Sequence, residues 1–471
     1  MKSFEYKGLW WIPANPEDKV TGFLKFNPSD GIKLELIGSF KSLEEAPKRV
    51  KYPIILGLST DGKLVTLYKC YESGTTLSFP GMMVSSFRAK FAIVGAHFEN
   101  EDDIKFTEVF IRYRGIESWV AESGFNITYY FDKGGKVNEI SVTYRFPEPI
   151  TLMSNDSYTI SVRSGGRMPL YPEKDLKVHM QEKKYIHIKF NETADLKKCL
   201  QLVAHIQDFI SFCIYTIAYP QEIKAKVKNH NGGRGKVEIY YRIPYRAIEA
   251  EVSEKKPIIN EVLLTLKDIR GKVNIVFSKW MSKLSIIRPI CSRYLSELYN
   301  PTLYIEDEFL DLLHAIELYH RGTCQGKYIS DGDYEAIFEE IVKSLPKCVP
   351  PQLHDKIREM LRYANEYSLR QRLKDLFRKY RTTLKEMVKE LSNRKNVLNL
   401  IDKIVNTRNF LIHGDRKLEA KALSGEDIYR AAQKLRVLIE IFLLDEIGLT
   451  QNEIAKCLER KYQFRKHYLF E

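Results

Sequence analysis

The feature that most constrains how this 471-residue chain can fold is a change in its hydrophobic periodicity. From the N-terminus to about residue 190, short runs of β-branched and aromatic residues alternate with polar ones, and turn-forming residues separate the runs. After residue 300, every apolar stretch recurs with the period of an α-helix. Strand side chains point alternately to opposite faces, whereas helical side chains return to one face every three or four residues. The chain therefore joins a β-rich part to a helical part.

We predict an α+β protein with three regions. Residues 1–190 form an antiparallel β-rich domain, either a sandwich or a barrel, and residues 301–471 form an all-α helical bundle. The region 191–300 is mixed, because a helical pattern around 194–219 is followed by a strand-like segment. This region either continues the first domain or forms a small bridging unit. Two or three folded units fit a chain of this length.

Composition excludes several classes of protein. Hydrophobic residues make up 44% of the chain and aromatic residues 12%, which excludes a disordered or collagen-like protein. The seven cysteines form no CxxC pair, so neither a zinc ribbon nor a disulfide framework is expected. No export signal or membrane-spanning run is visible in the sequence. We expect a soluble, cytoplasmic protein that does not associate with membranes and needs no metal or other cofactor.

The formal net charge of +13 is compatible with a polyanionic partner. The surplus is concentrated in residues 356–395, which hold 13 basic and five acidic residues. Charge runs often do no more than keep a helix soluble, so this segment is either an RNA-binding surface or a solvated face.

Five apolar stripes with helical spacing make up the predicted bundle. They run over residues 309–320, 334–345, 369–391, 397–405 and 428–442. The third stripe follows Ser368, and Gln371 three residues later completes a capping-box pattern at the start of that helix.

A group of polar residues continues the fourth stripe. Arg408 follows Ile404 by four positions, so its guanidinium needs a partner or a cleft. Asn409 and His413 are four positions apart and share one helix face, with Arg408 one step away. Gly414 is a natural helix stop, which would leave His413 in the last turn. The three side chains are therefore predicted to converge on one spot.

Together these side chains suit the cleavage of an RNA phosphodiester. A histidine moves protons near neutral pH, an arginine holds two phosphate oxygens, and an asparagine orients either group. RNA supplies its own nucleophile, the 2′-hydroxyl, and attack by it leaves a 2′,3′-cyclic phosphate and a 5′-hydroxyl without a metal. Such chemistry benefits from both a base and an acid, whereas each chain offers one convincing motif. We therefore expect a two-fold homodimer or a higher even-numbered oligomer.

The motif is short, and a structural interpretation competes with the catalytic one. Arg408 could instead be the partner of a buried ion pair, and His413 a helix cap. A second match, Arg460 with His467, lies in a charged tail and is interpreted as coincidental.

Several segments resemble one known family. The stretch NTRNFLIHGD (406–415) resembles the R-N-x-x-x-H signature of HEPN-domain ribonucleases. HAIELYHR (314–321) and YANEYSLRQRLKDLF (363–377) resemble the first and middle helices of ApeA-type HEPN proteins, which are associated with anti-phage defence. GLWWIPANPEDKVTGFLKFNPSDGIKLELIGSF (8–40) is similar to the β-rich ApeA N-terminal domain.

This resemblance implies a metal-independent endoribonuclease toxin that restricts phage by damaging RNA in the infected cell, a form of abortive infection. It also implies catalytic roles for Arg408, Asn409 and His413. Transfer RNA is the first candidate substrate by analogy with other HEPN toxins, and a phage-derived trigger would act through the β-rich domain. The main alternative is a catalytically inactive HEPN module that binds RNA or serves as a scaffold.

Supporting residues are predicted with open alternatives. Glu317 either accepts hydrogen bonds from Arg408 or is an ordinary surface acid. His320 and Arg321 line an RNA cleft or lie on a solvated helix face. A basic set in and around the third helix is expected to contact the RNA backbone: Arg370, Arg372, Arg378 and Lys379.

Three further segments receive a structural or a minor interpretation. Trp10 and Trp11 are assigned to core packing rather than to base stacking. Gly232 and Gly233 suggest a flexible loop without a phosphate-binding lysine motif. Residues 448–460 resemble the opening of a helix-turn-helix and leave a transcriptional regulator as a third possibility, although few residues follow for a recognition helix.

Overall fold

The structure of the protein is a computed structural model. It describes residues 1–41, 49–78, 80–167, 178–228, 235–243, 261–300, 304–346 and 348–463. The chain divides into two compact units, Met1–Ser278 and Lys279–Glu471. Because residues 229–234 and 464–471 are not among the described residues, the expectations for Gly232, Gly233 and His467 lie outside them.

The first unit is built mainly from antiparallel strands. The strands are β1 (Phe4–Trp11), β2 (Val20–Asn27), β3 (Gly31–Ile37), β4 (Lys51–Ser59), β5 (Leu64–Leu77), β6 (Met83–Val94), β7 (Lys105–Tyr113), β8 (Phe125–Phe131), β9 (Val137–Tyr144), β10 (Ile150–Ser154), β11 (Tyr158–Arg167), β12 (Gln181–Asp195), β13 (Pro220–Lys226) and β14 (Lys236–Tyr241). Two helices lie between them, α1 (Ile116–Val120) and α2 (Leu196–Ile214), and α3 (Val273–Ser282) contains the division between the units.

The first six strands close into a barrel. Their order is β6-β3-β2-β1-β4-β5, and β5 pairs with β6 to complete the circle. Trp10 fills the interior and is fully buried, in agreement with its assignment to the core. Gly57 makes room for it, since a Cβ atom at Gly57 would lie 2.2 Å from the Trp10 ring. The prediction of an antiparallel β-rich domain is confirmed, and part of this domain is a six-stranded barrel.

The sheet continues beyond the barrel. Past the end of β3, β6 pairs with β14, and the order runs on through β13, β7, β12, β11 and β10. The helix α2 packs one face against β7 and β12. The expected boundary at residue 190 lies inside β12 (Gln181–Asp195), and the mixed region 191–300 contributes β13 and β14 to this sheet.

The hairpin of β8 and β9 stands apart from the large sheet. These two strands pair with each other in a separate two-stranded sheet. Most of their side chains are exposed. Within the described residues the hairpin is therefore the least buried regular element of the first unit.

The second unit is helical, as predicted. Its helices are α4 (Leu284–Tyr294), α5 (Ser296–Tyr299), α6 (Ile305–Thr323), α7 (Asp331–Ser344), α8 (Pro351–Arg362), α9 (Leu369–Lys379), α10 (Arg381–Met387), α11 (Arg394–His413), α12 (Glu426–Glu446) and α13 (Gln451–Tyr462). At its centre α6 packs against α4 and α12, and the rings of Tyr319 and Phe442 stack with centroids 3.8 Å apart. No helix in the described part of the chain is both long and apolar enough to cross a membrane.

The predicted stripes differ in how well they match the core. Those of α6 and α12 are buried along their length. The 369–391 stripe is buried but does not form one helix, because the backbone at Tyr380 leaves the helical conformation and separates α9 from α10. The 334–345 stripe buries only Phe338. The helix α8, which no predicted stripe covers, has no buried residue.

Candidate active site

The helix α11 carries the predicted motif at its C-terminal end. Its inner face buries Leu400, Ile401, Ile404 and Thr407. Gly414 ends the helix with a positive φ of 63°, and its N–H donates to the Phe410 carbonyl at 2.9 Å. Glycine takes up this left-handed conformation without the strain that a Cβ atom would cause. The prediction that Gly414 stops the helix is confirmed, and His413 lies in the last turn.

The three motif side chains converge at this helix end. Arg408 Nη1 lies 3.3 Å from Asn409 Oδ1 and 3.4 Å from His413 Nε2. Arg408 and Asn409 are half-buried, whereas His413 is exposed. The site is therefore open to solvent, and the guanidinium of Arg408 points toward the imidazole instead of closing a buried ion pair.

The contact between Arg408 and His413 defines the protonation of the imidazole. A guanidinium can only donate hydrogen bonds, so His413 Nε2 must accept in this arrangement and the ring proton must lie on Nδ1. The distance of 3.4 Å is long, as is common for catalytic hydrogen bonds without substrate. The Nε2 lone pair therefore faces a fixed positive charge, which is the arrangement of a general base beside an anion-binding group.

The segment after the motif folds back onto α11. Thr407 Oγ1 donates to the Lys403 carbonyl at 2.7 Å and accepts from the Leu423 N–H at 2.8 Å. Thr407 is completely buried, so this tether is shielded from water. It fixes the far end of the loop that begins at Gly414.

Three cations in this loop were missed by sequence reasoning. Arg416, Lys417 and Lys421 lie on a short 3₁₀ segment, Arg416–Lys421, and all three are exposed. Within the described residues, none of the three forms an ion pair. The sequence signal was their position directly after the motif, in a run too short to stand out from the more basic 356–395 region.

Glu317 does not support the motif in the way proposed from sequence. Within the described residues it makes no hydrogen bond to Arg408. Its negative charge acts on Arg372 instead and favours the charged form of that guanidinium. The predicted pairing of Glu317 with Arg408 is therefore not formed.

His320 and Arg372 form a second arginine–histidine pair, in the bundle interior. Arg372 Nη1 donates to His320 Nδ1 at 3.0 Å, and its Nε donates to the Tyr367 carbonyl at 2.9 Å. His320 is fully buried and Arg372 is 3% exposed. Burial and the charge of Arg372 lower the pKa of His320, which is neutral in this pair. The expectations that both residues line an RNA cleft or lie on a solvated face are corrected, because their polar atoms are used inside the fold.

The remaining cations predicted to bind RNA are held by carboxylates. The pairs are Arg321 with Glu366 at 2.7 Å, Arg370 with Asp402, Arg378 with Asp375 at 3.0 Å, and Lys379 with Asp445 at 3.5 Å. All four basic side chains stay partly or largely exposed. Exposed ion pairs are weak, so these cations remain accessible, although each would have to release or share a carboxylate to contact phosphate.

The segment 448–460 belongs to the bundle. The helix α13 starts with a capping box between Thr450 and Glu453 and buries its apolar face. At its end Tyr462 donates to Glu440, a carboxylate with no exposed surface, at 3.1 Å. A buried carboxylate at this position ties α13 to α12. The helix therefore has a packing role, and any recognition helix after it would fall outside the described residues.

Fold and site together define a class: a β-barrel protein with a helical bundle of the HEPN type, in which one helix ends in an open arginine–histidine pair. The chain belongs to the ApeA family, since the model of ApeA N-terminal domain 1 matches residues 5–280 and that of the Apea-like HEPN domain matches residues 310–453. No curated protein and no solved structure matches it. HEPN domains generally have ribonuclease activity, so membership supports a nuclease-type role in anti-phage defence. The motif 408–413 lies within the matched HEPN region.

Proposed function

We propose that the protein is a metal-independent endoribonuclease of anti-phage defence that cleaves RNA at the Arg408–His413 pair. The observation that carries this proposal is the convergence of Arg408, Asn409 and His413 at an open helix end. Ion-pair partners for a merely structural Arg408 are not found among the described residues, and its hydrogen bonds go to the two other motif residues. The family match supports a nuclease and leaves the reaction to be tested.

In the proposed reaction His413 Nε2 accepts the proton of a 2′-hydroxyl. The freed oxygen attacks the adjacent phosphorus, and the bond from phosphorus to the 5′-oxygen breaks. Arg408 stabilises the extra negative charge on the phosphate oxygens, and Asn409 orients the guanidinium through its Oδ1. The 5′-oxygen takes up a proton as it leaves. The products are a 2′,3′-cyclic phosphate and a 5′-hydroxyl, so no water or metal enters the bond-breaking step.

A second copy of the motif would supply the proton for the leaving oxygen. Three apolar residues of α11 spaced seven apart, Leu398, Val405 and Ile412, are partly or largely exposed. A seven-residue spacing keeps side chains on one face of a helix, and such a face suits pairing with a second helix. This stripe runs beside Arg408 and Asn409 and supports a homodimer in which two motifs face one RNA strand.

The 3₁₀ segment Arg416–Lys421 is the proposed contact for the RNA backbone nearest to the motif. Its cations are exposed and belong to a loop anchored to α11, so they can approach phosphates without breaking an ion pair. Transfer RNA remains the first candidate substrate. We further propose that the protein acts in the cytoplasm and that a phage-derived trigger releases the nuclease through the β-rich unit.

The test compares His413→Ala with His314→Ala, which alters another exposed histidine of the same unit. Cleavage of total cellular RNA is measured in the presence of EDTA, and the new ends are mapped. His413→Ala should lower the rate by about a hundredfold or more while folding and RNA binding are kept, because a general base contributes roughly 10²–10⁴-fold. The His314→Ala variant should cleave normally. Full cleavage by His413→Ala, or activity that EDTA removes, would reject the proposal and favour an inactive RNA-binding module.

A further inference from the structure

The β8–β9 hairpin has one face made entirely of apolar side chains. The register pairs Phe125 with Tyr144, Ile127 with Val142, Tyr129 with Ile140, and Phe131 with Val137. Because strand side chains alternate, these eight residues share one face. The residues between them, which include Asn126, Thr128, Ser141 and Thr143, are mostly polar and occupy the other face. The hairpin is therefore strongly amphipathic.

The apolar face lies open to solvent in the single chain. Its six outer side chains are each between 48% and 62% exposed: Ile127, Tyr129, Phe131, Val137, Ile140 and Val142. Sheet faces of this composition are normally packed against another layer. A two-stranded hairpin without such a layer is at best marginally stable in water. A partner layer is thus required by the same physics that buries the other sheet faces of this unit.

The base of the hairpin is held firmly. Glu182 Oε2 accepts from the Gly124 N–H at 3.0 Å and from the Ser123 hydroxyl at 2.9 Å. Lys184 Nζ pairs with the other oxygen of Glu182 at 2.6 Å, and the side chains of both partners are largely buried. Opposite Gly124, the Arg145 N–H donates to the Gly124 carbonyl at 2.9 Å. These bonds fix the direction in which the hairpin leaves β12, so the apolar face is preorganised for binding.

We propose that this face is an interface with a second copy of the chain, formed by two hairpins packed face to face about a two-fold axis. Two flat apolar sheet faces complement each other about 10 Å apart, and a two-fold axis gives each copy the same surface. The face carries no charged residue that would select a differently charged partner.

The area also fits a second copy. Side chains of roughly 150–250 Å² that are half exposed contribute on the order of 600 Å² per copy from the six outer residues. Two copies would bury about 1,200 Å², the lower end of the range for a specific interface. The partly exposed Phe125 and Tyr144 at the base add to this area. The resulting four-stranded sandwich gives each hairpin the layer that it lacks.

The first experiment places opposite charges on one face or the other of the full-length protein. Tyr129→Asp with Ile140→Lys alters a cross-strand pair on the apolar face, and Thr128→Asp with Ser141→Lys alters the neighbouring pair on the polar face. Self-association is measured by sedimentation velocity across a wide range of concentrations. The apolar-face variant should associate on the order of a hundredfold more weakly than the parent, and the polar-face variant should match the parent.

The second experiment separates this interface from the α11 pairing proposed above. Tyr129→Cys is placed in a background of Cys324→Ser and Cys348→Ser and treated with a short bis-maleimide linker. Covalent dimers should form with Tyr129→Cys and not with Thr128→Cys in the same background. Equal association of both charge variants, a monomeric parent, or no hairpin crosslink would overturn the proposal. Loss of phage protection by the apolar-face variant at unchanged mass would assign the face to a phage component instead.

Discussion

Two arginine–histidine pairs in the helical unit show how burial decides what the same side chains do. In the first pair, Arg372 from α9 donates to His320 from α6 at 3.0 Å in the bundle interior. In the second, Arg408 and His413 belong to one helix, lie 3.4 Å apart and face solvent. The difference lies in how many hydrogen-bonding groups remain free.

The buried pair is fully engaged. Arg372 uses Nε on the Tyr367 carbonyl, Nη1 on His320, and Nη2 on Glu366 at 3.4 Å. In the open pair, Arg408 uses only Nη1 in the described contacts, which leaves the rest of its fork for two oxygens of a phosphate. One pair braces helices, and the other has the free valences that a reaction needs.

The largest expected effect comes from Arg408→Lys. A lysine keeps the charge but loses the bidentate fork that would bind the charged transition state. RNA cleavage should fall by roughly 10²–10³-fold, as for the loss of one preorganised donor. The free energy of unfolding should change by less than about 0.5 kcal/mol because the site is open. Cleavage rates and denaturant melts on the same preparations check both parts, and a rate within a few-fold of the parent would contradict the catalytic role.

The same substitution at the buried pair should have the opposite profile. Arg372→Lys cannot reach His320, Tyr367 and Glu366 together, so buried polar groups lose their partners. The free energy of unfolding should drop by about 3 kcal/mol, in the range for breaking a buried charged pair. Cleavage per folded molecule should stay near that of the parent. A stable Arg372→Lys protein with lost cleavage would show that the buried pair takes part in the chemistry.

The pH dependence of stability offers a finer test of the buried pair. Burial first, and then the charge of Arg372, lower the pKa of His320 from 6.5, while Asp375 partly opposes the shift. The unfolded chain takes up a proton as the pH falls through about 6.5, but the folded protein resists it, so stability is lost in that direction.

Replacing the histidine should remove this contribution. His320→Gln should flatten the fall in unfolding free energy below about pH 6.5 by up to about 1.4 kcal/mol per pH unit. Above pH 7.5 the imidazole is neutral in both states, and the slopes of variant and parent should coincide. Urea melts across the pH range measure this, and identical slopes at low pH would mean that His320 takes up its proton in the folded protein.

The smallest expected effect concerns free and paired cations on the surface. Arg416→Gln with Lys417→Gln, placed in an inactive His413→Ala background, should weaken RNA binding several-fold. The slope of binding against salt should decrease by about 0.7 for each lost phosphate contact on single-stranded RNA. Arg378→Gln with Lys379→Gln is the matched control, because these cations are already paired with Asp375 and Asp445. A larger effect of the control pair would move the RNA-binding surface to α9.

Local patterns in the sequence predicted the motif well. The period of α11, the stop at Gly414 and the convergence of Arg408 with His413 all depend on residues within one or two helical turns. The helix cap at Ser368 was also predicted, and its side chain accepts from the Gln371 N–H. The second half of that capping box does not form, since the Gln371 amide turns to Asp375 at 3.3 Å. Such local features need no knowledge of the tertiary fold.

Burial of polar residues could not be predicted in the same way. Arg372 and His320 are 52 positions apart, and only the packing of α6 on α9 places both in the interior. The pattern of the 334–345 stripe likewise predicted a buried face, whereas its residues Ile337 and Ile341 are exposed. Hydrophobic period indicates which residues share a face, but not whether anything covers that face.

The tether between Leu423 and Thr407 separates two properties that most active sites mix. Residues 414–422 form a loop fixed at both ends to α11, by Gly414 on Phe410 and by Leu423 on Thr407. Loop closure costs little more when a loop grows, so length and charge can vary between these anchors while the helix stays as it is. Natural drift or laboratory grafting can thus exchange the guide for the substrate while the cutting groups remain in place.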